Sequence, residues 1–369
     1  MKIGITGADG LIGWHCRAYL KALNAGHEVR LANRATFARA DRLVAFVEGL
    51  DAIAHFAGMN RGDEREVEAV NVNLARDLTA ACDQVLAMPF IAYANSTHQE
   101  RDTPYGRGKR EAARVFDRWA KKSGARFANL ILPHVFGEFG KPFYNSVVST
   151  FCHQIAREEP PPIQSDGDLE LLHAQEVAAH CVAAIFSCRS GDIRLTGVPM
   201  RVSELLQRLN TMSRQYRDLV MPPLSSAIDV RLFNTLRSYL FPAHYPVRLQ
   251  LHTDPRGSLF EAVKSHGGGQ IFISTTKPGI TRGNHFHTRK VERFLVMAGE
   301  AEIRLRKLFT NEVVSFKVRG DTPCYIDMPT FHTHNITNTG SSELVTLFWA
   351  NEIFDPADSN TFPEPVDMP

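Results

Sequence analysis

The sequence predicts two domains of different classes: an α/β domain built on a doubly wound parallel sheet, then an all-β domain closing as a small antiparallel barrel. Three observations predict this. Over roughly the first 210 residues, short apolar runs alternate with longer amphipathic stretches, as strands joined by crossover helices do. From about Leu251 onward strand-like runs follow one another across turn residues, with no convincing helix between them. The length, 369 residues, exceeds one ordinary domain and suits two.

The elements follow in order. KIGIT (2–6), EVRLA (28–32), AIAHFAG (52–58), FIAYANS (90–96) and FANLIL (127–132) read as strands. Between them Leu11–Asn24, ended by Gly26, and DEREVEAVNVNLARDLTAACDQVL (63–86) read as helices. In the second part QIFISTT (270–276), ERFLVMAGEAEIRLRKL (292–308), EVVSFKV (312–318), CYIDM (324–328) and ELVTLFWAN (343–351) read as strands. Pro242 and Pro246 in RSYLFPAHYPVRLQ interrupt helical continuation, which places the boundary between residues 1–243 and 244–369.

Composition narrows the function. Forty-two Lys and Arg face forty Asp and Glu, so neither nucleic acid nor a membrane surface is expected as a partner. No apolar run reaches the ~18 residues of a membrane helix. The chain enters a strand at once, without the pattern of a leader, and its six cysteines form no CxxC pair. A cytoplasmic protein with free thiols is expected.

Gly7, Gly10 and Gly13 follow the first strand and open a helix in TGADGLIG. A dinucleotide pyrophosphate approaches the backbone closely at such a helix N-terminus, where a side chain would block it. At the end of the second strand, VRLANRAT offers Asn33 and Arg34 where an acidic residue would select the ribose hydroxyl of NAD. A guanidinium suits a 2′-phosphate, so NADPH is the expected cofactor. Downstream, NSTHQERDTPYGRGK sets Tyr105 and Lys109 four apart on one helix face. A neighbouring ammonium lowers a phenol's pKa, and Ser96 upstream, or Thr97 in its place, can hydrogen-bond a substrate carbonyl.

With the glycine turn and HFAG (55–58), these motifs resemble the extended short-chain dehydrogenase/reductase family over about residues 1–240. The resemblance implies a Rossmann-type sheet, with Ser96, Tyr105 and Lys109 as catalytic residues. It also implies a cofactor site lined by Gly7, Gly10, Gly13, Arg34, Phe56, Ala57 and Gly58, and a structural role for Asn71. Two departures stand out. Only eight residues separate Ser96 from Tyr105, and LPHVFG has Leu132 and His134 where an arginine and an asparagine are common.

In GITRGNHFHTRKVE, alternating histidines on a strand share a face. Gly279, five residues, His285-x-His287, four residues, Glu292, six residues, Gly299: this spacing resembles the first motif of the cupin family. PTFHTHNITN adds His334 and Asn338 where that family's second motif has its last ligand and an asparagine, although Phe331 stands at its usual glycine. Three imidazoles and a carboxylate suit zinc, nickel, manganese or iron, with zinc the first choice. His332 is read as structural. HTDPRGSLFE (252–261) also resembles the entry segment of the deoxysugar 3,5-epimerases, which implies that Asp254 and Arg256 order a nucleotide diphosphate; Arg256 as a plain salt-bridge residue is an equal alternative.

Over the whole chain the sequence is similar to the bifunctional capsule- and O-antigen-precursor enzymes of the CapF type. KPFYNSVVSTFCHQIARE, KPGITRGNHFH and WANEIFDP carry that likeness beyond either parent family. It implies that the cupin jelly roll epimerises carbon 3 of UDP-2-acetamido-2,6-dideoxy-4-hexulose. The reductase domain would then convert the 4-keto group with NADPH, giving UDP-2-acetamido-2,6-dideoxy-L-talose, a precursor of UDP-N-acetyl-L-fucosamine. It also implies a homodimer joined through the cupin domain. The residues alone leave open a reductase whose cupin serves only as a metal-stapled dimerisation module.

Overall fold

In the computed structural model, which describes residues 1–368, the chain divides into two units. The first comprises Met1–Thr150 and Ile163–Glu204; the second comprises Phe151–Pro162 and residues 205 onward.

In chain order the first part runs β1 (Lys2–Thr6), α1 (Leu11–Leu23), β2 (Glu28–Ala32), α2 (Arg34–Phe37), α3 (Ala40–Val47), β3 (Ala52–His55) and α4 (Glu64–Gln84). Then come β4 (Phe90–Ser96), a 3-10 turn (Thr97–Glu100), α5 (Pro104–Ser123), β5 (Phe127–Leu132), β6 (His134–Phe136) and α6 (Val147–Ala156). β7 (Asp168–His173), α7 (Ala174–Ser187), β8 (Gly191–Arg194) and β9 (Val198–Arg201) follow.

Six strands form one parallel sheet in the order β2-β1-β3-β4-β5-β8. β3 and β5 are buried at every residue, as parallel strands covered on both faces should be. Ile3, Ile5, Ala52 and Ala54 pack one face with Val177 and Ile185 of α7; Ile53, Ile91 and Tyr93 pack the other with Leu78 of α4 and Phe116 of α5. Helix ends follow local chemistry. Asn24 takes the left-handed conformation that stops α1, and Asp63 accepts the N–H groups of Arg65 and Glu66 to start α4. From β1 the crossovers lead to β2 on one side and β3 on the other, and ligands bind such sheets at that divergence, outside the strands' carboxyl ends. β6, β7 and β9 form a separate three-stranded sheet.

The chain continues with α8 (Val202–Arg217), β10 (Val220–Met221), α9 (Ala227–Leu240), β11 (Val247–Arg248), β12 (His252–Asp254), β13 (Gly257–Leu259), β14 (Lys264–Ser265) and β15 (Gln270–Thr276). Next are β16 (Thr281–Phe286), β17 (Glu292–Ala298), β18 (Glu300–Lys307), β19 (Val313–Arg319), β20 (Cys324–Met328), β21 (His332–Asn338), β22 (Leu344–Ala350) and β23 (Phe362–Pro363). Two five-stranded antiparallel sheets result, β11-β20-β17-β22-β15 and β19-β18-β21-β16-β23. Their inner faces share one core: Phe294 and Ile326 from one sheet meet Ile303, Leu305 and Ile336 from the other. The 292–308 run breaks into two strands at Gly299, whose φ of 90° makes the turn.

α8 and α9 are tied to these sheets by buried polar groups. Tyr216 donates to Asp327 at 2.6 Å, Arg293 holds the same carboxylate at 2.7 and 3.0 Å, and Arg237 donates to the Met328 carbonyl at 2.6 Å. Each of these buried charges has a partner, as burial requires.

Candidate functional site

The turn between β1 and α1 leaves no room for side chains. A Cβ on Gly13 would lie 2.2 Å from the Gly7 carbonyl oxygen, and one on Gly7 would lie 2.7 Å from the backbone nitrogen of Ala57. Gly7 also has a φ of 64°. Gly10 caps α1 without a side-chain bond, and no acidic residue occupies the first turn. The helix therefore presents open N–H groups and its positive dipole end, the arrangement that suits an anion. Phe56, Ala57 and Gly58 run alongside. Thr6 Oγ1 accepts the Ala57 N–H at 3.1 Å, and Asn71 pins the segment by donating to the Met59 carbonyl at 2.6 Å. Arg34 opens α2 and is exposed; among the described residues no hydrogen bond or ion pair engages its side chain.

At the carboxyl end of β4, Ser96 accepts the His98 N–H at 3.2 Å and stands on the side of the Tyr105 phenol, whose pKa it acts to lower. Thr97 begins the 3-10 turn beside it. Thr103 caps α5, and Pro104 at its first turn starts the helix that carries Tyr105 and Lys109. Lys109 departs from expectation. Its ammonium donates to the Ala94 carbonyl at 2.5 Å and lies 4.2 Å from the centre of the Tyr93 ring, a cation–π contact. Burial pushes it down to about 7. The Tyr105 phenol is raised, not lowered: burial dominates, the nearby Ser96 hydroxyl opposes it, and Tyr144 adds to it. Helical spacing places Lys109 on the phenol's side of α5, but the nearest acceptor for its proton is the β4 backbone.

In the second unit His285, His287, Glu292 and His334 bring one ligand atom each to within 4.8 Å of one another. His285 lies on β16 after a bulge at Gly283, whereas His287 stands just past the strand end. Simple alternation is therefore not what pairs them. The donor set fits a cation. His287 Nδ1 donates to the Asn360 carbonyl at 2.6 Å, and His334 Nδ1 to the His332 carbonyl at 3.1 Å. A carbonyl only accepts, so both Nε2 lone pairs turn inward. His334 Nε2 is buried without a hydrogen-bond partner among the described residues, and Glu292 Oε2 sits 3.6 Å from it and 3.1 Å from His287 Nε2. Acceptors facing acceptors in a buried site want a positive ion between them. Burial, then the neighbouring His334 and His287, hold His285 at about 3, so it is neutral and able to ligate.

Around the cluster, Phe331 adopts a φ of 60° with its side chain fully buried, so the conformation of the missing glycine is retained by a residue fixed in the core. His332 is buried, its Nδ1 donating to the Thr330 carbonyl at 3.0 Å. Arg256 and Asp254 pair with each other at the surface.

A sequence model of the NAD dependent epimerase/dehydratase family matches residues 3–194, more than half of the chain. The chain belongs to that family. A model of the polysaccharide biosynthesis C-terminal domain matches residues 252–362. The chain is 31% identical over 371 residues, 98% of each protein, to the UDP-2-acetamido-2,6-beta-L-arabino-hexul-4-ose reductase of Pseudomonas aeruginosa. Among solved structures it is 29% identical to the capsular polysaccharide assembling protein CapF of Staphylococcus aureus. That match covers 99% of this chain and 100% of that one, with a TM-score of 0.64. UDP-glucose 4-epimerase of Thermus thermophilus shares the fold alone, at 18% identity over 58% of this chain and 84% of that one, with a TM-score of 0.52. The expected likeness to CapF thus extends end to end.

Membership of the NAD dependent epimerase/dehydratase family implies a nicotinamide cofactor, and the side-chain-free Gly7–Gly13 turn has the close-approach geometry that could hold a pyrophosphate. No helix of the described residues is long and apolar enough to cross a membrane. Sequence reading passed over two features. His98 packs its ring edge-on against Tyr105, with centroids 6.0 Å apart; its place two residues after Ser96 was the available signal. Asn360 orients His287 through its backbone and, through its side chain, accepts the N–H groups of Thr288, Arg289 and Lys290; no motif marked it.

Proposed function

We propose that the chain is a bifunctional nucleotide-sugar enzyme. Its first unit reduces the 4-keto group of a UDP-linked 2-acetamido-2,6-dideoxyhexulose with NADPH, and its second is a cupin domain that epimerises carbon 3 before reduction. The product is UDP-2-acetamido-2,6-dideoxy-L-talose, a precursor of UDP-N-acetyl-L-fucosamine for capsule or O-antigen. What carries the reading is the placement of Ser96, at the carboxyl end of β4, beside Tyr105 on α5, in a chain 31% identical over 98% of its length to a reductase of a UDP-linked keto sugar.

NADPH, when bound, supplies the hydride. Ser96 offers its hydroxyl to the sugar carbonyl, Tyr105 gives its proton to the new alkoxide, and Lys109 supplies positive charge beneath them. Arg34, exposed and unengaged, supports NADPH over NADH. In the second unit His285, His287, Glu292 and His334 would hold a divalent cation, zinc first, and it would supply a Lewis acid for the enolate oxygen. The order is chemical. The ketone acidifies the neighbouring C–H, so epimerisation must precede the reduction that removes the ketone.

A homodimer is supported by the edge strand β15, where Ile271 and Ile273 are 58% and 67% exposed. Six cysteines without a disulfide suit the cytoplasm. The test incubates the protein with the UDP-linked keto sugar in deuterated water. NADPH loss is followed by absorbance, and exchange at carbon 3 by NMR. Tyr105→Phe should lower reduction by roughly 1,000-fold, about 4 kcal/mol of barrier, and leave exchange intact. His285→Ala should do the reverse. Loss of both activities in either variant overturns the two-site scheme.

A further inference from the structure

Two imidazoles stand at the reductase site without a task in the scheme above. His98 lies in the 3-10 turn after Ser96, its ring at 73° to that of Tyr105. His134 heads β6, and its ring meets His98 at 6.4 Å and 85°. Among the described residues no hydrogen bond engages either ring. Exposure rises outward: Tyr105 and His98 are half-buried, and His134 is exposed.

Each reduction takes one proton from Tyr105, which must be restored from water before the next. Lys109 is poorly placed to do this, being 5% exposed, bonded to the Ala94 carbonyl and covered by the Tyr93 ring. On the other side Tyr105 meets the half-buried His98 ring. We propose that His98 and His134 form the route by which protons reach Tyr105 from solvent, His98 refilling the phenolate and His134 refilling His98. Ring centres 6.0 and 6.4 Å apart, without a direct hydrogen bond, put neighbouring groups within reach through one bridging water. Burial, then Arg101, lowers both imidazoles; Glu170 opposes this at His134, and His134 adds to it at His98. Both are thus mainly neutral near pH 7, with one nitrogen to give a proton and one to take it.

The step balances. The hydride goes to the carbonyl carbon, and the Tyr105 O–H bond breaks as its proton joins the alkoxide oxygen. The phenolate takes a proton from one nitrogen of His98 while the other nitrogen takes one from His134 or a bridging water. His134 takes its own from solvent. No electrons travel along the route.

The inference rests on the reductase reading, and one experiment separates the two. Wild-type protein is assayed with NADPH and UDP-2-acetamido-2,6-beta-L-arabino-hexul-4-ose, beside His98→Ala and His134→Ala, with and without free imidazole. A wild type that consumes no NADPH overturns the reductase reading and the relay with it. A working wild type puts the relay alone at stake. His98→Ala should then lower kcat roughly 10- to 100-fold with KM for the sugar unchanged, and imidazole should restore part of kcat saturably. His134→Ala should show a smaller loss, about threefold to tenfold, because water can replace the outer group. If His98→Ala is misfolded by circular dichroism, His98→Gln is assayed in its place. An unchanged kcat, a rise in KM alone, or a loss that imidazole does not restore overturns the relay.

Discussion

The Gly7–Gly13 turn and the His285–His334 cluster are built by opposite means. The turn is defined by side chains that are absent, and its N–H groups, a helix dipole and close backbone approach do the rest. The cluster is defined by side chains that converge, each aimed by a carbonyl or a packed neighbour. A site of the first kind fails when anything is added. A site of the second fails when anything is taken away, including groups that never touch the ligand.

The largest effect is therefore expected from the smallest addition. In Gly13→Ala the new methyl would stand 2.2 Å from the Gly7 oxygen, a backbone atom that cannot swing aside. NADPH binding should weaken about 100-fold or more, roughly 2.7 kcal/mol, in a fluorescence titration. Metal content by mass spectrometry should match wild type. Tight NADPH binding by Gly13→Ala would sink the close-approach account of the turn.

The same contrast explains what was legible in the sequence. Gly7, Gly10 and Gly13, and His285, His287, Glu292 and His334, are residue identities at fixed intervals, so the sequence could single out both candidate sites, and the structure brings each set together. The parallel strands were equally plain, because burial on both faces leaves continuous apolar runs such as FANLIL. What spacing could not show is where a long side chain ends. Lys109 lies four residues from Tyr105, yet its ammonium settles on the Ala94 carbonyl and the Tyr93 ring. Backbone partners are also silent in sequence. The carbonyl that orients His287 belongs to Asn360, 73 residues away, and any residue could have supplied it. The short sheet β6-β7-β9 escaped for a similar reason: its strands of three to six residues carry too little pattern.

Asn360 offers the next test, with an intermediate effect. Its Oδ1 accepts three consecutive N–H groups, of Thr288, Arg289 and Lys290, at 3.0 to 3.1 Å. Together with the carbonyl bond to His287, they fix the loop that leaves the His285–His334 cluster. Asn360→Ala keeps every ligand and removes only this clamp. Zinc affinity in a chelator competition should fall about 10-fold, the usual cost of losing a group behind a ligand. Wild-type affinity would mean that the barrel strands alone hold His287 in place.

The smallest effect is expected at Arg34, the one side chain proposed to act in the nucleotide site. Arg34 stands at the end of β2, on the turn into α2, and the capping of that helix is carried by Asn33 and Thr36 instead. Its replacement should therefore cost little stability. Because it is exposed, its attraction for a 2′-phosphate is screened by water and salt, and one such contact is worth far less than the glycine turn. Arg34→Asp reverses the charge and offers a carboxylate to the ribose hydroxyls. The ratio of kcat/KM for NADPH to that for NADH should then fall roughly tenfold or more, about 1.4 kcal/mol or above, and the fall should shrink as salt is raised. A ratio that stays put would remove Arg34 from cofactor choice and leave that choice to the backbone of the turn, making the first site wholly one of absences.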